Sequence, residues 1–521
     1  MLPRRLLVLT AVITTLASCD YENRQAVADY NARNTIVASP NDDNVRYTGR
    51  WNFDDPFAPW VGWQGSTVSL RFRGSEIAAT VEFDDSERLR VIVNGVPEEP
   101  ARVVAAGKQT IVLAQGLDAQ SEHTATLMKE EYATSVLTFH GFEIANGKVV
   151  APPPRPDRRI AFFGDSNMEG FSLYDEKNGT VNDANGTYFA YPATVSRMLG
   201  AEMQLQARGS ATLDGPTAND VMSFIYSPAF DREDPTYRDP FRPHVIVVNS
   251  GANDISRLPP DDQKAKIKAR YRAVIASLRE VYGDEPHIVL YNAYSWGLGE
   301  PAMYSHEVVD ELGGNLSALL FPWCWEQWHG DMVDHAGQAR HLARHIESLG
   351  LGFSIQQDAE VVSGYGIGQN VANGGFEGAA RDGYGGFGWR YFEDGVERVR
   401  DPLGAKDGEH FIRLDPGEVV HQCVDSTGDF EPGPAERGQQ YTLTAAIRSS
   451  EESGVAILGA DYEGQDLYER RNPELQSFDV SGEWQDYAIT LTAPADAWKV
   501  YVILKSESGT IEYDHVRLTS P

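Results

Sequence analysis

Between residues 45 and 150, apolar and polar positions alternate in short runs. Thr67 to Phe72 and Leu89 to Val93 both repeat with a period of two, and the second run ends in Asn94-Gly95, a pair suited to a tight hairpin. Thr110 to Leu113 and Ser135 to Phe139 add strand-like runs, so residues 45–150 are predicted to form an all-β sandwich. Ala151 to Pro156 holds four prolines and predicts a semi-rigid linker. Beyond it the pattern changes. Arg159 to Phe163, His244 to Asn249 and Ile288 to Tyr291 are continuous apolar runs. Helical periodicity over Asp261 to Val281 and Ala336 to Leu349 lies among or after them. Buried strands alternating with helices predict a parallel sheet covered on both faces over residues 157–352. From residue 365 to 521 the chain turns Gly-rich and strand-like again. Glu418 to Val424, Tyr441 to Ile447, Ala456 to Ala460, Trp484 to Thr492 and Val500 to Leu504 predict a second antiparallel sandwich.

The 521 residues fit this division, at roughly 150 residues per domain. A formal net charge of −31 argues against nucleic acid as a partner, because phosphates need a basic surface. The amino terminus predicts export. Arg4 and Arg5 precede a short apolar run, Leu6 to Leu16, and Leu16-Ala17-Ser18-Cys19 resembles a bacterial lipobox. The resemblance implies a signal peptide over residues 1–18, lipidation of Cys19 and membrane anchoring in the periplasm or at the cell surface. Residues 19–44 are polar and read as a tether. Cys324 and Cys423 fall in different predicted domains and read as two isolated thiols.

Sites in an open parallel sheet form at the carboxyl ends of its strands. Three blocks sit at such ends: Gly164-Asp165-Ser166, Arg208-Gly209-Ser210 and Gly251-Ala252-Asn253-Asp254. A fourth block, Asp331-Met332-Val333-Asp334-His335, closes the α/β segment. The four resemble the SGNH (GDSL-type) hydrolases, whose name-giving residues map in chain order onto Ser166, Gly209, Asn253 and His335. The resemblance covers residues 159–351 and implies a flavodoxin-like parallel sheet. It also implies Ser166 as nucleophile, His335 as general base, and an oxyanion hole of the Ser166 N–H, the Gly209 N–H and the Asn253 amide. No cofactor is implied for catalysis. The family's Asp three residues before the His is Met332 here. Asp331, Asp334 or a backbone carbonyl is left to orient His335, and Asp331 is the geometric choice. Asp165 and Asp254 read as loop-bracing residues. His341 and His345 share a helix face but lack a metalloprotease glutamate, so His341 reads as packing beneath the site and His345 as a surface residue.

A sandwich placed directly before an SGNH domain resembles carbohydrate esterase family 2, supported by Thr48-Gly49-Arg50-Trp51, Trp63-Gln64-Gly65-Ser66 and Phe72-Arg73-Gly74. This implies removal of acetyl groups from polysaccharide or oligosaccharide through an acetyl-Ser166 intermediate. Trp323, Trp325 and Trp328 are candidates for a sugar-stacking wall, with core packing as the default for each. Esterases acting on lipid, peptidoglycan or small acyl esters are the alternative, and a lipid-anchored glycan-binding protein with an inactive hydrolase domain is the other. The last segment resembles jelly-roll carbohydrate-binding modules of the family 4/9/22 type, through Asn370 to Glu377, Gly388-Trp389 and Glu512 to Leu518. The resemblance implies a structural calcium held by Glu377 and Asp514. Trp389, Tyr391 and Tyr462 are candidates for a sugar platform, again with core packing as the default.

Overall fold

A computed structural model describes residues 35–131, 134–174, 185–230, 232, 234–293, 303–321, 329–330, 332–359, 371, 373–377, 389, 395–423, 440–464, 470–494 and 497–519. Cys19, Cys324, Trp323, Trp325, Trp328, Asp331 and Tyr391 lie outside these residues.

The amino-terminal unit is two antiparallel sheets. One runs Thr35–Ala38, Leu137–Ala145, Glu76–Phe83, Gly107–Gln115, and the other runs Lys148–Val150, Thr67–Arg73, His123–Lys129, Glu87–Val93, Val96–Pro97. Alternation decides which face is buried: Val68, Leu70 and Phe72 point into the core with Val81, Phe83 and Phe139, while Thr67, Ser69 and Arg71 point outward. Asn94 and Gly95, at φ 53° and 80°, turn the chain from Glu87–Val93 into Val96–Pro97. The boundary predicted at residue 45 is too late. Thr35–Ala38, assigned above to the tether, pairs antiparallel with Phe142–Ala145. Four residues are too few to show a strand period, and a partner supplies what they lack.

The central unit is a five-stranded parallel sheet in the order Glu202–Ala207, Arg159–Gly164, Val245–Asn249, His287–Ala293, Leu316–Phe321. The strand Val245–Asn249 is buried throughout, as a continuous apolar run requires. The long helix Pro260–Tyr282 packs its Ile267, Tyr271, Val274 and Leu278 on one face. The helix Met332–Ser348 buries Met332, Ala339, Leu342, Ala343 and Ile346 on the other. Gly164 lies in register with both Ala207 and Asn249, so the three strands end at one level.

The sandwich and the hydrolase unit share an interior. Trp63 leaves the sandwich to pack edge-on against Phe224, at 5.1 Å between ring centroids. The buried Arg50 donates to Asp239 Oδ2 at 2.7 Å, to the Phe224 and Ser227 carbonyls at 2.6 and 2.7 Å, and to Tyr282 Oη at 2.9 Å. Arg90 and Glu130 form a buried pair at 2.6 Å, and Arg90 also reaches Tyr174 Oη at 2.6 Å.

The carboxyl-terminal unit is again two antiparallel sheets. One runs Val396–Arg400, His410–Leu414, Ile511–Thr519, Gln440–Ser449, Gln485–Thr492. The other runs Val419–Cys423, Ala497–Ser508, Ser453–Gly464, Arg470–Ser481. Tyr513 crosses between them, donating to the Ile457 and Lys505 carbonyls at 3.0 and 2.6 Å. Trp389 and Tyr462 are buried in this core, so neither forms an exposed platform. The expected calcium is not supported by its proposed ligands. Glu377 Oε1 accepts the Glu409 and His410 N–H groups at 2.7 and 2.9 Å, and its Oε2 meets His410 Nδ1 at 2.7 Å. Asp514 Oδ2 accepts the Lys406 and Asp407 N–H groups at 2.8 and 3.0 Å, and Oδ1 accepts that of His515 at 2.6 Å. These carboxylates brace one loop, and N–H donors occupy the oxygens a hard cation would need. Among the described residues no group of three or more His, Cys, Asp or Glu could hold a metal ion.

Candidate active site

Ser166 opens a one-turn helix, Ser166–Glu169, directly after the strand Arg159–Gly164. Asp165 caps that turn, its Oδ1 accepting the Asn167 N–H at 3.1 Å, and Asn167 and Met168 are buried while Ser166 is partly open. A side chain at position 164 would meet the Asn249 carbonyl at 2.6 Å, so only glycine allows the strands to close up behind the serine.

The ring that meets Ser166 is His329. Its Nε2 lies 2.8 Å from Ser166 Oγ, and its face rests against Phe171 at 4.6 Å between centroids. His335, expected as the base, occupies another environment. It is fully buried in the helix Met332–Ser348, stacks on Tyr191 at 5.9 Å and accepts the Tyr191 N–H on Nδ1 at 3.2 Å. Burial, and secondarily His329, push it down to about 3, which keeps it neutral. Its place follows from helical spacing. Positions 332, 335, 339, 342 and 346 form the inward stripe, so His335 lies on the core face, whereas His329 precedes the helix, in the segment that follows the strand Leu316–Phe321. The chain order of the four blocks drew attention to the wrong imidazole. The usable signal was position relative to the helix. Asp331, tied to His335 in the sequence reading, lies outside the described residues.

The loop after Glu202–Ala207 carries Gly209 and is fixed at every turn. Gln64 Nε2, from the amino-terminal sandwich, donates to the Ala207 carbonyl at 2.6 Å. Arg208 N–H donates to the Gly164 carbonyl at 3.2 Å. Asn219 Nδ2 donates to the Gly209 carbonyl at 3.0 Å and Arg257 Nη2 to that of Ser210 at 3.0 Å. Asn253 Nδ2 donates to the Ala211 carbonyl at 2.9 Å, which ties the third predicted oxyanion donor to the same loop. Ser210 is held at φ 63°, a left-handed conformation that a non-glycine residue adopts only where its surroundings impose it. A Cβ on Gly209 would lie 3.9 Å from Ser166 Cβ, so this backbone is beside the nucleophile. Its N–H, however, is occupied by Glu169 Oε2 at 2.5 Å. Glu169 was missed in the sequence; a carboxylate three residues after the serine, on the first turn of a buried helix, was the available signal.

Asp254 Oδ2 accepts the Leu213 N–H at 2.9 Å and its Oδ1 meets Arg270 at 2.5 Å, the bracing role read from the sequence. His341 Nδ1 lies 3.4 Å from Tyr291 Oη. His345 is not a free surface residue. It is half-buried, with Nε2 2.9 Å from Ser317 Oγ, and burial, then His287, push it down to about 4.

Residues 47–154 match the family described as carbohydrate esterase 2 N-terminal, and residues 162–345 match the GDSL-like lipase/acylhydrolase family. Together the two matches take in the amino-terminal sandwich and the hydrolase unit. The chain is 29% identical over 336 residues to the cellulase/esterase CelE of Acetivibrio thermocellus, a match that takes in 60% of this chain and 40% of that protein. The chain therefore spans well under half the length of that relative. It is 22% identical over 340 residues to the acetylxylan esterase/glucomannan deacetylase of Cellvibrio japonicus, covering 60% of this chain and 88% of that one. Among solved structures, a family two carbohydrate esterase from Clostridium thermocellum in complex with cellohexaose aligns with a TM-score of 0.52 and 27% identity, over 59% of this chain and 99% of that chain. A family two carbohydrate esterase from Cellvibrio japonicus shares the fold, with a TM-score of 0.53 at 19% identity.

Proposed function

We propose that this chain removes O-acetyl groups from polysaccharide or oligosaccharide through an acetyl-Ser166 intermediate, with His329 as general base. The observation that carries the reading is the 2.8 Å approach of His329 Nε2 to Ser166 Oγ at the carboxyl end of a parallel sheet. His329 takes the Ser166 proton as Oγ attacks the acetyl carbonyl, and the oxyanion forms beside Gly209 and Asn253. The imidazolium then returns the proton to the departing sugar oxygen. In the second half, water attacks acetyl-Ser166 with His329 again as base, releasing acetate and restoring the serine hydroxyl.

The substrate class rests on the relatives, whose names include acetylxylan esterase and glucomannan deacetylase. Leu16 to Cys19 support, in addition, export and a lipid anchor on Cys19. Acetate release from acetylated xylan tests the reading. Ser166→Ala and His329→Ala are each expected to lower kcat by about 10⁴-fold or more. His335→Phe, which keeps a ring against Tyr191, is expected to stay within about tenfold of wild type. Full activity in His329→Ala would remove the histidine assignment. Absence of acetate release by wild type would remove the esterase reading itself.

A further inference from the structure

Glu169 poses a problem for a site that must stabilise an oxyanion. It is 2% exposed, and its carboxyl sits on the Gly209 N–H at 2.5 Å, the donor that an oxyanion next to Ser166 would use. Among the described residues its second oxygen, Oε1, meets no hydrogen-bond partner. The remaining polar groups of the loop are held by neutral carbonyls, amides or a guanidinium. Of the groups flanking Ser166, the Gly209 N–H is held by a carboxyl. A carboxylate accepts about twice as strongly as a neutral acceptor, so its hold on Gly209 depends on its charge.

We propose, given the esterase reading above, that Glu169 is a positioning residue that gates the Gly209 oxyanion donor: ionised, it holds the N–H for itself, and protonated, it yields that N–H to the oxyanion. The groups around it set the balance. Arg208 from the loop and Lys129 from the amino-terminal sandwich favour the ionised form, and Asp165 at the cap of the same turn opposes it. Lys129 is itself committed to Glu87 at 2.9 Å. The Ser166–His329 pair also lies beside Gly209, where a Cβ would come within 3.9 Å of Ser166 Cβ and 3.3 Å of Glu169 Oε2. Burial outweighs the two cations and pushes the Glu169 carboxyl up to about 7, so the change falls within the working range of an imidazole base. The two titrations then act in opposition. Deprotonating His329 raises the rate, and deprotonating Glu169 lowers it.

The test is kcat for a small acetyl ester, 4-nitrophenyl acetate, from about pH 5 to pH 9, in wild type, Glu169→Gln and Glu169→Ala. The amide of Glu169→Gln still presents a carbonyl to Gly209 but does not titrate. Wild type is expected to lose rate on the alkaline side of neutrality, and Glu169→Gln to keep its rate there. Glu169→Ala, with the donor no longer aimed, is expected to fall by about 10²-fold. Profiles of wild type and Glu169→Gln that coincide would overturn the proposal. A second measurement needs no variant. The Gly209 amide proton resonance in wild type is expected to move upfield as pH falls through the midpoint of the alkaline limb, and a resonance indifferent to pH overturns the gate. Loss of hydrolysis in wild type condemns the esterase reading instead, and leaves the amide titration to judge the Glu169 contact.

Discussion

The two sandwiches share an architecture and differ in where their buried charges point. In the amino-terminal one, Arg50 crosses to Asp239 and Gln64 crosses to the loop that carries Gly209. In the carboxyl-terminal one, the buried Glu512 is met by Arg413 at 2.7 Å and Arg448 at 2.5 Å, all three within one sheet. Its Tyr501 joins the hydrolase core. Packing alone would let either unit slide against its neighbour. Directed hydrogen bonds from a guanidinium and an amide do not, and the first sandwich supplies them to the hydrolase unit through Arg50 and Gln64.

The sharpest way to break this comparison is Arg50→Ala. It strands Asp239 in the interior and is expected to cost about 3–5 kcal/mol, with esterase activity lost along the same urea transition. Glu512→Gln is the matched control: it weakens the second sandwich and leaves kcat unchanged. An Arg50→Ala protein that unfolds early yet keeps kcat until the hydrolase unit melts would erase the distinction. A smaller effect comes from pH. Burial raises Glu99 and Glu131 in the first sandwich, and Asp165 and Glu169 beside the nucleophile, each to about 7. Their unfolded values lie near 4, so the stability they contribute is full below about pH 4 and is lost as pH rises through about 7. In the second sandwich Asp514 is raised to about 6 while Glu377 is lowered, and these oppose one another. Hydrogen exchange is expected to show the first sandwich and hydrolase loosening between about pH 4 and pH 7, with the second sandwich nearly constant. Equal loosening of both would contradict the assignment. The smallest expected effect is that of ending the chain after Ala359: kcat for a small soluble ester should stay within about threefold. A collapse of kcat would mean that the Tyr501 contact matters more than its chemistry suggests.

Much of this was readable in advance because apolar runs state their burial directly. The strand Val245–Asn249, buried throughout, and the alternating Thr67–Arg73 both lie where their patterns placed them. Ser166 and the loop of Gly209 follow from strand ends, which pattern also marks. The base did not follow, because the chain order of motif blocks says nothing about which face of a helix a residue occupies; His335 closed the last block and sits in the core, while His329 stands beside Ser166. Thr35–Ala38 was too short to declare a period. Glu377 and Asp514 carry the residue types of a calcium site, but the backbone amides that claim their oxygens come from a loop about 30 residues and about 110 residues away in the chain, a closure no local pattern encodes.

Gln64 on the Ala207 carbonyl has a consequence for anyone recombining such enzymes. The proline stretch at residues 151–156 is the obvious crossover point, because the backbone there runs outside both sheets. A chimera joined at that point inherits one parent's loop and the other parent's prop. Unless both parents carry an amide donor at the position of Gln64, the hybrid folds around a loop whose first carbonyl has lost its support. The seam that divides this protein for breeding therefore runs through the interior, along Arg50, Trp63 and Gln64, and not through the linker.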